Sequence, residues 1–437
     1  MADSEKFDAI VVGAGPAGSA AALTMARAGL SVVLLERGDY PGAKNVMGGV
    51  LYRKMLEDLV PNFWLEAPLE RVVVESRISL MTGSTAVTVG YRDPAFGEEP
   101  YNAFTVLRGK FDQWFAKKAE EAGAFLINQM PVTNVLKDKA GRVIGVTTGT
   151  PDGELLADVV VIADGVNSLL AKEMGLRGEL LPNQVALAVK EVIRLPAETI
   201  QERFGVSGNQ GVVMELMGDA THGMVGQGWL YTNLDSISLG VGCLLSEFQQ
   251  RRVRPYDVLE DLKQHPTIAP LIAGGEVDEY TAHLIPEGGF NAMPEVYGDG
   301  FLLAGDAAML INVLHREGSN LAMTSGQLAG ETVIAAKAKG DFSAQTLRGY
   351  RSRLEASFVL KDLKQYRNMP TFMEHSRQAF FEIYPELVNR AAKTLMTVDG
   401  VPKHEKERGL IKAVLARRRP LTMARDMWGM WKAAMRG

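Results

Sequence analysis

Cysteine is nearly absent from this chain, whose 437 residues include a single one, Cys243. A disulfide within the chain is therefore impossible, and so is an iron–sulfur or zinc site held by four cysteines. Cys243 lies in an apolar, glycine-rich stretch, residues 239–245, that is typical of a strand. We interpret it as a small buried hydrophobic residue rather than a reactive thiol, and we expect no metal site.

The chain also has no long apolar run. A helix that crosses a bilayer needs about 20 consecutive apolar residues, and no such segment occurs. The first predicted strand begins within seven residues of the N-terminus, so we expect no signal peptide. We therefore expect a cytoplasmic protein of two or three domains, without internal repeats or low-complexity tracts.

Negative charge predominates in the chain, but not at its C-terminus. The net charge is −5, whereas residues 403–437 contain ten Lys or Arg and three Asp or Glu. Apolar residues at helical spacing, which include Trp428 and Trp431, lie beside these basic residues. Such a segment is typical of a helix on an anionic lipid surface, and equally of a helix docked on a partner or on the protein itself. The acidic body argues against nucleic-acid binding.

The N-terminal segment combines an apolar strand, a glycine-rich turn and a helix. It reads Asp8-Ala-Ile-Val-Val-Gly13-Ala-Gly15-Pro-Ala-Gly18, and a second apolar strand ends at Glu36. Here Gly13 permits a tight turn, Gly15 lets the backbone approach a pyrophosphate, and Gly18 lets the helix pack closely on the strand. Amide groups at the helix start can bind the phosphates. Glu36 can accept hydrogen bonds from ribose hydroxyls, which predicts a site for FAD or NAD rather than NADP.

Further segments place polar residues at the ends of predicted strands or at the starts of helices. One buried strand ends in Asp164-Gly165, and a later one ends in Gly305-Asp306. The next helix begins near Gly318-Ser-Asn320-Leu321, where amide groups can face a flavin ring or a pyrophosphate. Arg108 stands at the start of a helix predicted over residues 108–122. Each feature alone is common in turns or on surfaces, but their order along the chain indicates one dinucleotide site.

Together these motifs resemble the FAD-binding fold of the p-hydroxybenzoate hydroxylase and glutathione reductase superfamily over about residues 7–340. The resemblance implies an α/β fold: a Rossmann-like FAD-binding domain of the glutathione reductase type, an inserted mixed-sheet substrate (quinone) domain, and a helical C-terminal region. The expected segments are 1–75, 105–178 and 289–344 for the FAD-binding domain, 76–104 and 179–288 for the substrate domain, and 345–437 for the helical region with its basic amphipathic tail.

The resemblance also implies which residues hold FAD. The three glycines of the first turn would hold the pyrophosphate, Glu36 the adenosine ribose, and the backbone of Val132 the adenine. Arg108 would lie near the flavin or its ribityl chain, Asp306 would bind the linker between the two halves of FAD, and the helix start at Gly318 would lie at the isoalloxazine edge. The residues expected to line the site are Gly13, Ala14, Gly15, Pro16, Ala17, Gly18, Glu36, Arg37, Lys44, Asn45, Gly48, Arg108, Val132, Asp164, Gly165, Gly305, Asp306, Gly318, Asn320 and Leu321.

Narrower motifs place the resemblance within the superfamily. They are Pro41-Gly-Ala-Lys-Asn-Val-Met-Gly-Gly-Val-Leu-Tyr52, Ala282-His-Leu-Ile-Pro-Glu-Gly-Gly289 and Tyr297-Gly-Asp-Gly-Phe-Leu-Leu-Ala-Gly-Asp-Ala-Ala-Met309. They look like the FixC family, which is similar to the electron-transfer-flavoprotein:quinone oxidoreductases. Those enzymes carry a ferredoxin-like domain with a four-cysteine [4Fe–4S] cluster, which a single cysteine cannot ligate. The lack of these four cysteines agrees with the FixC family, where a separate FixX-like ferredoxin carries the iron–sulfur cluster.

This resemblance implies an FAD-dependent, quinone-reducing electron-transfer subunit. It would take electrons from FixA- and FixB-like electron-transfer-flavoprotein subunits, within an electron-bifurcating complex that includes the FixX-like ferredoxin, and pass them to a membrane quinone. That acceptor implies a peripheral position on the cytoplasmic face of the membrane. No acid–base residue is required; His315, between the Gly305-Asp306 strand and the Gly318 helix, is a candidate for proton delivery, and a packing role fits it as well.

Other functions fit the same motifs. One is an FAD enzyme that acts on an organic substrate, either a prenyl-lipid reductase of the geranylgeranyl type or an aromatic hydroxylase. A hydroxylase needs access to NAD(P)H, and no second GxGxxG unit occurs, whereas a prenyl lipid would also explain the basic tail. Another is a non-catalytic flavin scaffold within the complex, which would bind FAD without turning over quinone.

Overall fold

The computed structural model describes residues 6–44, 49–150 and 153–435. Its strands are β1 (Phe7–Val12), β2 (Val32–Leu35), β3 (Val50–Tyr52), β4 (Leu69–Met81), β5 (Ala86–Arg92), β6 (Ala103–Val106), β7 (Phe125–Ile127), β8 (Val132–Lys137), β9 (Val143–Thr148), β10 (Glu154–Ile162), β11 (Val185–Arg194), β12 (Gln210–Gly218), β13 (Gly226–Thr232), β14 (Ser236–Leu244), β15 (Glu276–Pro286), β16 (Tyr297–Gly298) and β17 (Phe301–Leu303).

The α-helices are α1 (Pro16–Arg27), α2 (Arg53–Leu59), α3 (Arg108–Glu121), α4 (Leu169–Glu173), α5 (Ala197–Phe204), α6 (Leu245–Arg251), α7 (Pro255–Gln264), α8 (Ala269–Ile272), α9 (Ser319–Lys339), α10 (Ala344–Ala356), α11 (Phe358–Gln365), α12 (Met369–His375), α13 (Tyr384–Met396), α14 (Lys403–Arg417) and α15 (Pro420–Met435). Short 3-10 turns include Gly289–Ala292 and Gly305–Ala308, and a π-helical turn spans Ala379–Ile383.

The chain forms two compact units, each assembled from three segments. Unit 1 contains the described residues of 1–69, 106–185 and 284–367, and unit 2 contains those of 70–105, 186–283 and 368–437. The helices α10 and α11 therefore lie in unit 1, and α12 to α15 lie in unit 2. The finer division into six segments that the sequence suggests stays a prediction.

A parallel sheet forms the centre of unit 1. Its order is β16-β17-β10-β1-β2-β7, in which β17, β10, β1, β2 and β7 run parallel and β16 pairs antiparallel with β17. In this register Val11 lies opposite Leu34 on one side and Val161 on the other. All positions of β2 are buried, as expected for a parallel strand covered on both faces. The α/β fold class that the resemblance implies is confirmed.

The helices α1 and α9 pack against each other in unit 1, and α3 packs against α1. Small residues allow the close approach of α1 and α9. A Cβ atom at Gly326 would lie 2.0 Å from the Ala17 carbonyl oxygen, and one at Gly330 would lie 2.8 Å from Thr24 Cβ. The contact places the second turn of α9 against the first turn of α1, and it therefore determines the position of one helix relative to the other.

Unit 2 is built on a mixed sheet. Its order is β15-β11-β14-β13-β12-β4-β6, with β5 paired to β4. The pairs β11–β14, β14–β13, β13–β12 and β4–β5 are antiparallel, and β12 runs parallel to β4. Cys243 lies on β14 and is buried, and burial raises the pKa of its thiol. The interpretation of Cys243 as a small core residue is confirmed.

The end of the chain is helical, as predicted, and its last helices belong to unit 2. Asn389 of α13 donates to the Leu80 carbonyl oxygen (2.8 Å) and accepts from Thr85 (2.8 Å). Arg377 donates to the Gly223 carbonyl oxygen (2.8 Å). These bonds attach the C-terminal segment to the end of β4 and to the loops that follow β4 and β12. Within the described part of the chain, no helix has the length and apolar character needed to cross a membrane.

Candidate functional site

The glycine-rich turn after β1 brings neighbouring strands of unit 1 close together. Gly13 has a φ of 98° and donates its N–H to the Leu35 carbonyl oxygen (2.7 Å). A Cβ atom at Gly13 would lie 2.4 Å from the Ala163 carbonyl oxygen, and one at Gly18 would lie 1.8 Å from the Gly13 carbonyl oxygen. A Cβ atom at Gly15 would meet no atom within 4 Å. The turn is therefore closed at two glycines and open at the third, on the side where a pyrophosphate would approach.

The start of α1 has the properties of an anion site. Gly15 is its N-cap, no side chain caps it, and its first turn contains no acidic residue. Pro16, at the first helical position, has no N–H, and Ala14, Pro16 and Ala17 are buried. The amide groups that follow and the positive end of the helix dipole can therefore serve a phosphate.

Glu36 directly follows β2 and is oriented by the glycine turn. Its Oε2 accepts a hydrogen bond from the Ala14 N–H (3.1 Å), and its Oε1 accepts one from the Gly38 N–H (2.7 Å). The Met130 N–H donates to the Glu36 carbonyl oxygen (2.8 Å), which brings the segment before Val132 to the same end of the sheet. The carboxylate predicted for the ribose and the backbone predicted for the adenine therefore lie in one region of unit 1.

Four further residues of the N-terminal part are predicted to line the site. Arg37 and Lys44 are exposed. Asn45 and Gly48 lie outside the described residues. The roles of all four residues at the cofactor site stay predictions.

Arg108 begins α3 and is buried against Asp112. Its Nε donates to Asp112 Oδ1 (2.7 Å) and its Nη2 donates to Asp112 Oδ2 (2.8 Å), while Nη1 lies 3.5 Å from the Ser319 Oγ at the start of α9. Burial raises the pKa of Asp112, and the charge of Arg108 opposes that rise. Sequence reasoning did not assign Asp112 or Ser319 to the site. The four-residue spacing of Arg108 and Asp112 on one helix was a usable signal for the first. For Ser319 the signal was its place between Gly318 and Asn320, which were both predicted to line the site.

Asp306 lies in the 3-10 turn that follows β17. Burial raises the pKa of Asp306 to about 6, and the nearby charge of Arg108 opposes the rise. Gly305 donates its N–H to the Ser325 Oγ of α9 (3.0 Å), and a Cβ atom at Gly305 would lie 2.9 Å from the Ala17 Cβ. The Gly305-Asp306 turn, the start of α1 and the first turns of α9 are thus brought together, as the motif order predicts.

Buried polar atoms at this end of unit 1 lack hydrogen-bond partners among the residues that the structure describes. They are Asp164 Oδ1, Asn312 Nδ2 and Asn320 Oδ1. Burial raises the pKa of Asp164, and a Cβ atom at Gly165 would meet nothing within 4 Å. Buried donors and acceptors require partners, and FAD carries both kinds of group on its ring, ribityl chain and pyrophosphate. The residues present therefore fit FAD.

The second helix start at this site belongs to α9. Gly318 is its N-cap, no side chain caps it, and Asn320 and Leu321 are buried in its first turn. The Asn320 Nδ2 donates to Glu317 Oε2 (3.1 Å), which orients the amide and leaves Oδ1 for another donor.

His315 lies in the loop before α9. The loop is closed by backbone hydrogen bonds between Asn312 and Glu317 (2.9 and 3.2 Å), and the Asn312 Oδ1 accepts from the His315 N–H (3.2 Å). The exposed imidazole makes an edge contact with Tyr366, with ring centroids 5.0 Å apart. Its packing role is visible in this contact, and its role in proton delivery stays a prediction.

Two protein families match separate parts of the chain. Residues 8–171 match the family described as FAD dependent oxidoreductase. Residues 369–435 match the ETF-QO/FixC family C-terminal domain. The first match covers the glycine turn, Glu36 and Arg108, and the second covers α12 to α15 of unit 2. The predictions of an FAD-dependent oxidoreductase and of FAD as its cofactor are confirmed.

Relatives match almost the whole chain. Protein FixC of Bradyrhizobium diazoefficiens is 50% identical over 415 residues, 95% of each chain. Protein FixC of Azorhizobium caulinodans is 50% identical over 433 residues, 99% of this chain and 98% of the relative. Protein FixC of Escherichia coli strain K12 is 43% identical over 420 residues, 93% of this chain and 96% of the relative.

Solved structures with the same fold are more distant in sequence. A geranylgeranyl bacteriochlorophyll reductase-like protein from Thermoplasma acidophilum has a TM-score of 0.72 at 20% identity, covering 96% of this chain and 98% of that one. The myxobacterial chondrochloren halogenase CndH, an FAD-dependent halogenase, has a TM-score of 0.64 at 20% identity, covering 95% of this chain and 91% of that one. At this identity the likeness establishes the fold.

Proposed function

Because the chain belongs to the FixC family of FAD-dependent oxidoreductases, we propose that it passes electrons from FixA- and FixB-like electron-transfer-flavoprotein subunits to a membrane quinone. The observation that supports this proposal is 43–50% identity to FixC proteins over 93–99% of the chain. The proposal includes an electron-bifurcating complex that contains a FixX-like ferredoxin. A separate ferredoxin is needed to carry the iron–sulfur cluster, because this chain has a single cysteine and cannot ligate a four-cysteine cluster itself.

We assign each group of residues at the cofactor site a role toward FAD. Bound FAD supplies the redox chemistry, because it can exchange electrons singly or in pairs. The open side of Gly15 and the amide groups of α1 hold the pyrophosphate, and Glu36 accepts hydrogen bonds from the ribose. Asp306 and the Arg108–Asp112 pair would hold the ribityl chain, and the Asn320 amide at the start of α9 would hold the ring.

Reduction of a quinone to a hydroquinone consumes two electrons and two protons. In this proposal the electrons come from the partner flavoprotein and the protons come from water. A protein group that carries those protons must exchange with solvent, and the exposed imidazole of His315 meets this condition. His315 is therefore the proposed proton carrier at the loop before α9.

A quinone acceptor also implies access to the bilayer. We place the protein on the cytoplasmic face of the membrane as a peripheral protein, and its charge distribution supports this placement. Residues 403–437 carry ten Lys or Arg and three Asp or Glu in a chain whose net charge is −5. A basic segment of this kind is attracted to anionic headgroups.

The first experiment is anaerobic photoreduction of the full-length, FAD-loaded chain, followed by rapid mixing with a water-soluble menaquinone or ubiquinone analogue. A parallel sample receives geranylgeranyl lipid. We expect the quinone analogue to reoxidise the flavin and the lipid to leave it reduced. Reoxidation by the lipid alone, with saturation of its double bonds, would reject quinone reduction. A flavin that neither compound reoxidises, with the FixX-like ferredoxin present, would indicate the non-catalytic scaffold.

A prenyl-lipid reductase is the second candidate function. The observation in its favour is the similarity to the geranylgeranyl bacteriochlorophyll reductase-like protein, with a TM-score of 0.72. That likeness concerns the fold, whereas the FixC relatives share twice as much sequence identity, 43–50% against 20%. An aromatic hydroxylase remains an alternative within the same superfamily and would consume NAD(P)H in the presence of oxygen.

A further inference from the structure

The last helix, α15, has two different faces, and one of them is fully engaged within unit 2. Asp426 accepts hydrogen bonds from the Tyr384 hydroxyl (2.7 Å) and from the Arg418 Nε (2.8 Å). Gly429 packs on Phe372, so closely that a Cβ atom would lie 2.9 Å from the Phe372 Cε2. Asp426 and Ala433 are buried on this face. These contacts attach α15 to the unit without the aid of another molecule.

The opposite face of α15 exposes large apolar side chains. Leu421 is 86% exposed and Trp428 is 58% exposed, and Trp431 and Met435 are exposed as well. Spacings of 7, 10 and 14 residues from Leu421 place all of them on one side of a helix. The rings of Trp428 and Trp431 stack with centroids 4.9 Å apart. We call these residues the outer face of α15.

Basic residues border the outer face. Arg425 follows Leu421 by four residues and Lys432 follows Trp428 by four, so each lies beside an apolar member of the face. Asp426 is the only acidic residue of α15, and it points to the engaged side. The outer face therefore combines apolar bulk with positive charge and contains no carboxylate.

We propose that the outer face of α15 binds the surface of a bilayer that contains anionic lipids. Tryptophan is favoured at the boundary between headgroups and acyl chains, and bordering arginine or lysine pairs with lipid phosphates. Leu421, Trp428 and Trp431 enter this boundary, and Arg425 and Lys432 remain at the headgroups. The basic residues at the border of the face, and the lack of a carboxylate on it, favour an anionic lipid surface as its occupant. This inference rests on the proposed function, which places the protein at a membrane, and it names the surface of the protein that makes the contact.

Vesicle flotation of the full-length, FAD-loaded chain tests the proposal. The probes are vesicles of phosphatidylcholine alone and of phosphatidylcholine mixed with phosphatidylglycerol. We expect binding to the anionic vesicles, at least about tenfold weaker for the Trp428→Gln, Trp431→Gln double variant. The Arg425→Gln, Lys432→Gln variant should lose about fivefold in affinity per residue on anionic vesicles and nothing on neutral ones. Val89→Gln, on a strand residue that is 72% exposed, is the matched control and should bind as the parent protein does.

Vesicles with brominated acyl chains give a direct second measurement. They should quench the fluorescence of Trp428 and Trp431, and the double tryptophan variant should lose that quenching. Failure of the parent protein to bind anionic vesicles, or equal binding by the double tryptophan variant, would overturn the proposal. Loss of co-purification with the FixA- and FixB-like subunits in that variant, with vesicle binding unchanged, would assign the face to a protein partner instead. Reoxidation of the flavin by a water-soluble quinone analogue tests the proposed function separately, since it needs no membrane.

Discussion

At the scale of single residues, the glycines of the first turn are required for different reasons. Gly13 and Gly18 are held against backbone atoms, whereas Gly15 faces open space. Only the first two are needed for the fold of the apoprotein, because only there does a side chain collide with the protein itself. Gly15 instead keeps clear the surface that FAD occupies, so the two requirements can be separated by mutation.

Gly18→Ala and Gly15→Ala should therefore have different effects. We expect Gly18→Ala to lower the free energy of unfolding of the FAD-free protein by about 1–3 kcal/mol, because its Cβ must displace the Gly13 carbonyl. Gly15→Ala should leave that stability within about 0.5 kcal/mol and weaken FAD binding at least about tenfold. Urea unfolding and titration with FAD measure the two quantities. Gly349→Ala, at a half-buried helical position with no atom near its Cβ, is the control, and equal destabilisation by Gly15→Ala and Gly18→Ala would contradict the distinction.

Glu287 is a second residue whose behaviour follows from its surroundings. It belongs to the Pro286-Glu-Gly-Gly289 motif, and its N–H donates to the Gln184 carbonyl oxygen (2.7 Å). Burial raises the pKa of Glu287 from 4.5 to about 8, and the charge of Arg316 opposes the rise. Below about pH 4.5 the carboxyl is protonated in both folded and unfolded states and costs nothing. Between pH 4.5 and 8 the unfolded chain releases the proton and the folded chain retains it, so stability falls as the pH rises.

Glu287→Gln should remove this pH dependence. We expect the free energy of unfolding of the variant, relative to the parent protein, to increase by about 1–3 kcal/mol between pH 5 and pH 8.5, since one pKa unit corresponds to about 1.4 kcal/mol. Urea unfolding at both pH values measures the difference. Glu276→Gln, at an exposed position of β15, controls for the loss of a charge. If the free energy of unfolding of Glu287→Gln changed with pH as that of the parent protein does, the pKa of the Glu287 carboxyl would not be raised in the folded state.

At the scale of elements, the contact between α1 and α9 positions the cofactor site. The two helices meet through Gly326 and Gly330 on α9 and Ala17, Ala21 and Thr24 on α1. Their starts supply the amide groups proposed for the pyrophosphate and the flavin ring. A larger residue in the contact therefore acts on the site from a distance, by moving one helix start relative to the other.

Substitutions in this contact should show a graded effect. Gly326→Ala should destabilise the protein by about 1–3 kcal/mol and weaken FAD binding, because its Cβ would lie 2.0 Å from a backbone oxygen. Gly330→Ala should cost less, because its nearest neighbour is a side-chain carbon at 2.8 Å. Urea unfolding with and without FAD measures both, with Gly349→Ala again as the reference for alanine in a helix. The opposite order of the two variants would contradict the packing described.

At the scale of the whole molecule, the chain divides into two units, and the candidate FAD site and the last helices lie in different units. Unit 1 contains every described residue that fits FAD, from the glycine turn to the start of α9. Unit 2 contains the mixed sheet and the helices that match the ETF-QO/FixC family C-terminal domain. The separation means that cofactor binding and the proposed lipid contact of α15 depend on different parts of the chain.

Hydrogen exchange should reveal this separation. FAD at about 100 times its dissociation constant stabilises the folded state by about 2.7 kcal/mol, so exchange that requires opening of the site should slow by up to about 100-fold. We expect protection in residues 13–20, 305–308 and 318–324, and no change in residues 403–435. Mass spectrometry of peptic fragments measures both regions, and exchange without FAD is the reference. Protection concentrated in α14 and α15 would place the cofactor elsewhere.

Local patterns in the sequence were sufficient for the βαβ segment and most of the cofactor motifs. The apolar runs of β1, β2, β10 and β17 and the glycines between them report burial and turn geometry directly, because a strand covered on both faces needs apolar residues throughout. The family motifs extended this to FAD and to FixC. The helical end of the chain was also evident, from the spacing of its apolar residues.

Tertiary structure alone decided the properties that depend on distant contacts. Three features arise where separate segments meet, and no local pattern reports them. They are the approach of Arg108 to Ser319, the raised pKa of Glu287, and the side-chain atoms of Asn312 and Asn320 that have no partner within the described part of the chain. For α15 the sequence shows apolar residues around most of the helix, so it does not indicate which side is engaged. That choice is made by Asp426 with Tyr384 and Arg418, since a buried carboxylate requires partners, and it leaves the tryptophans on the outer face.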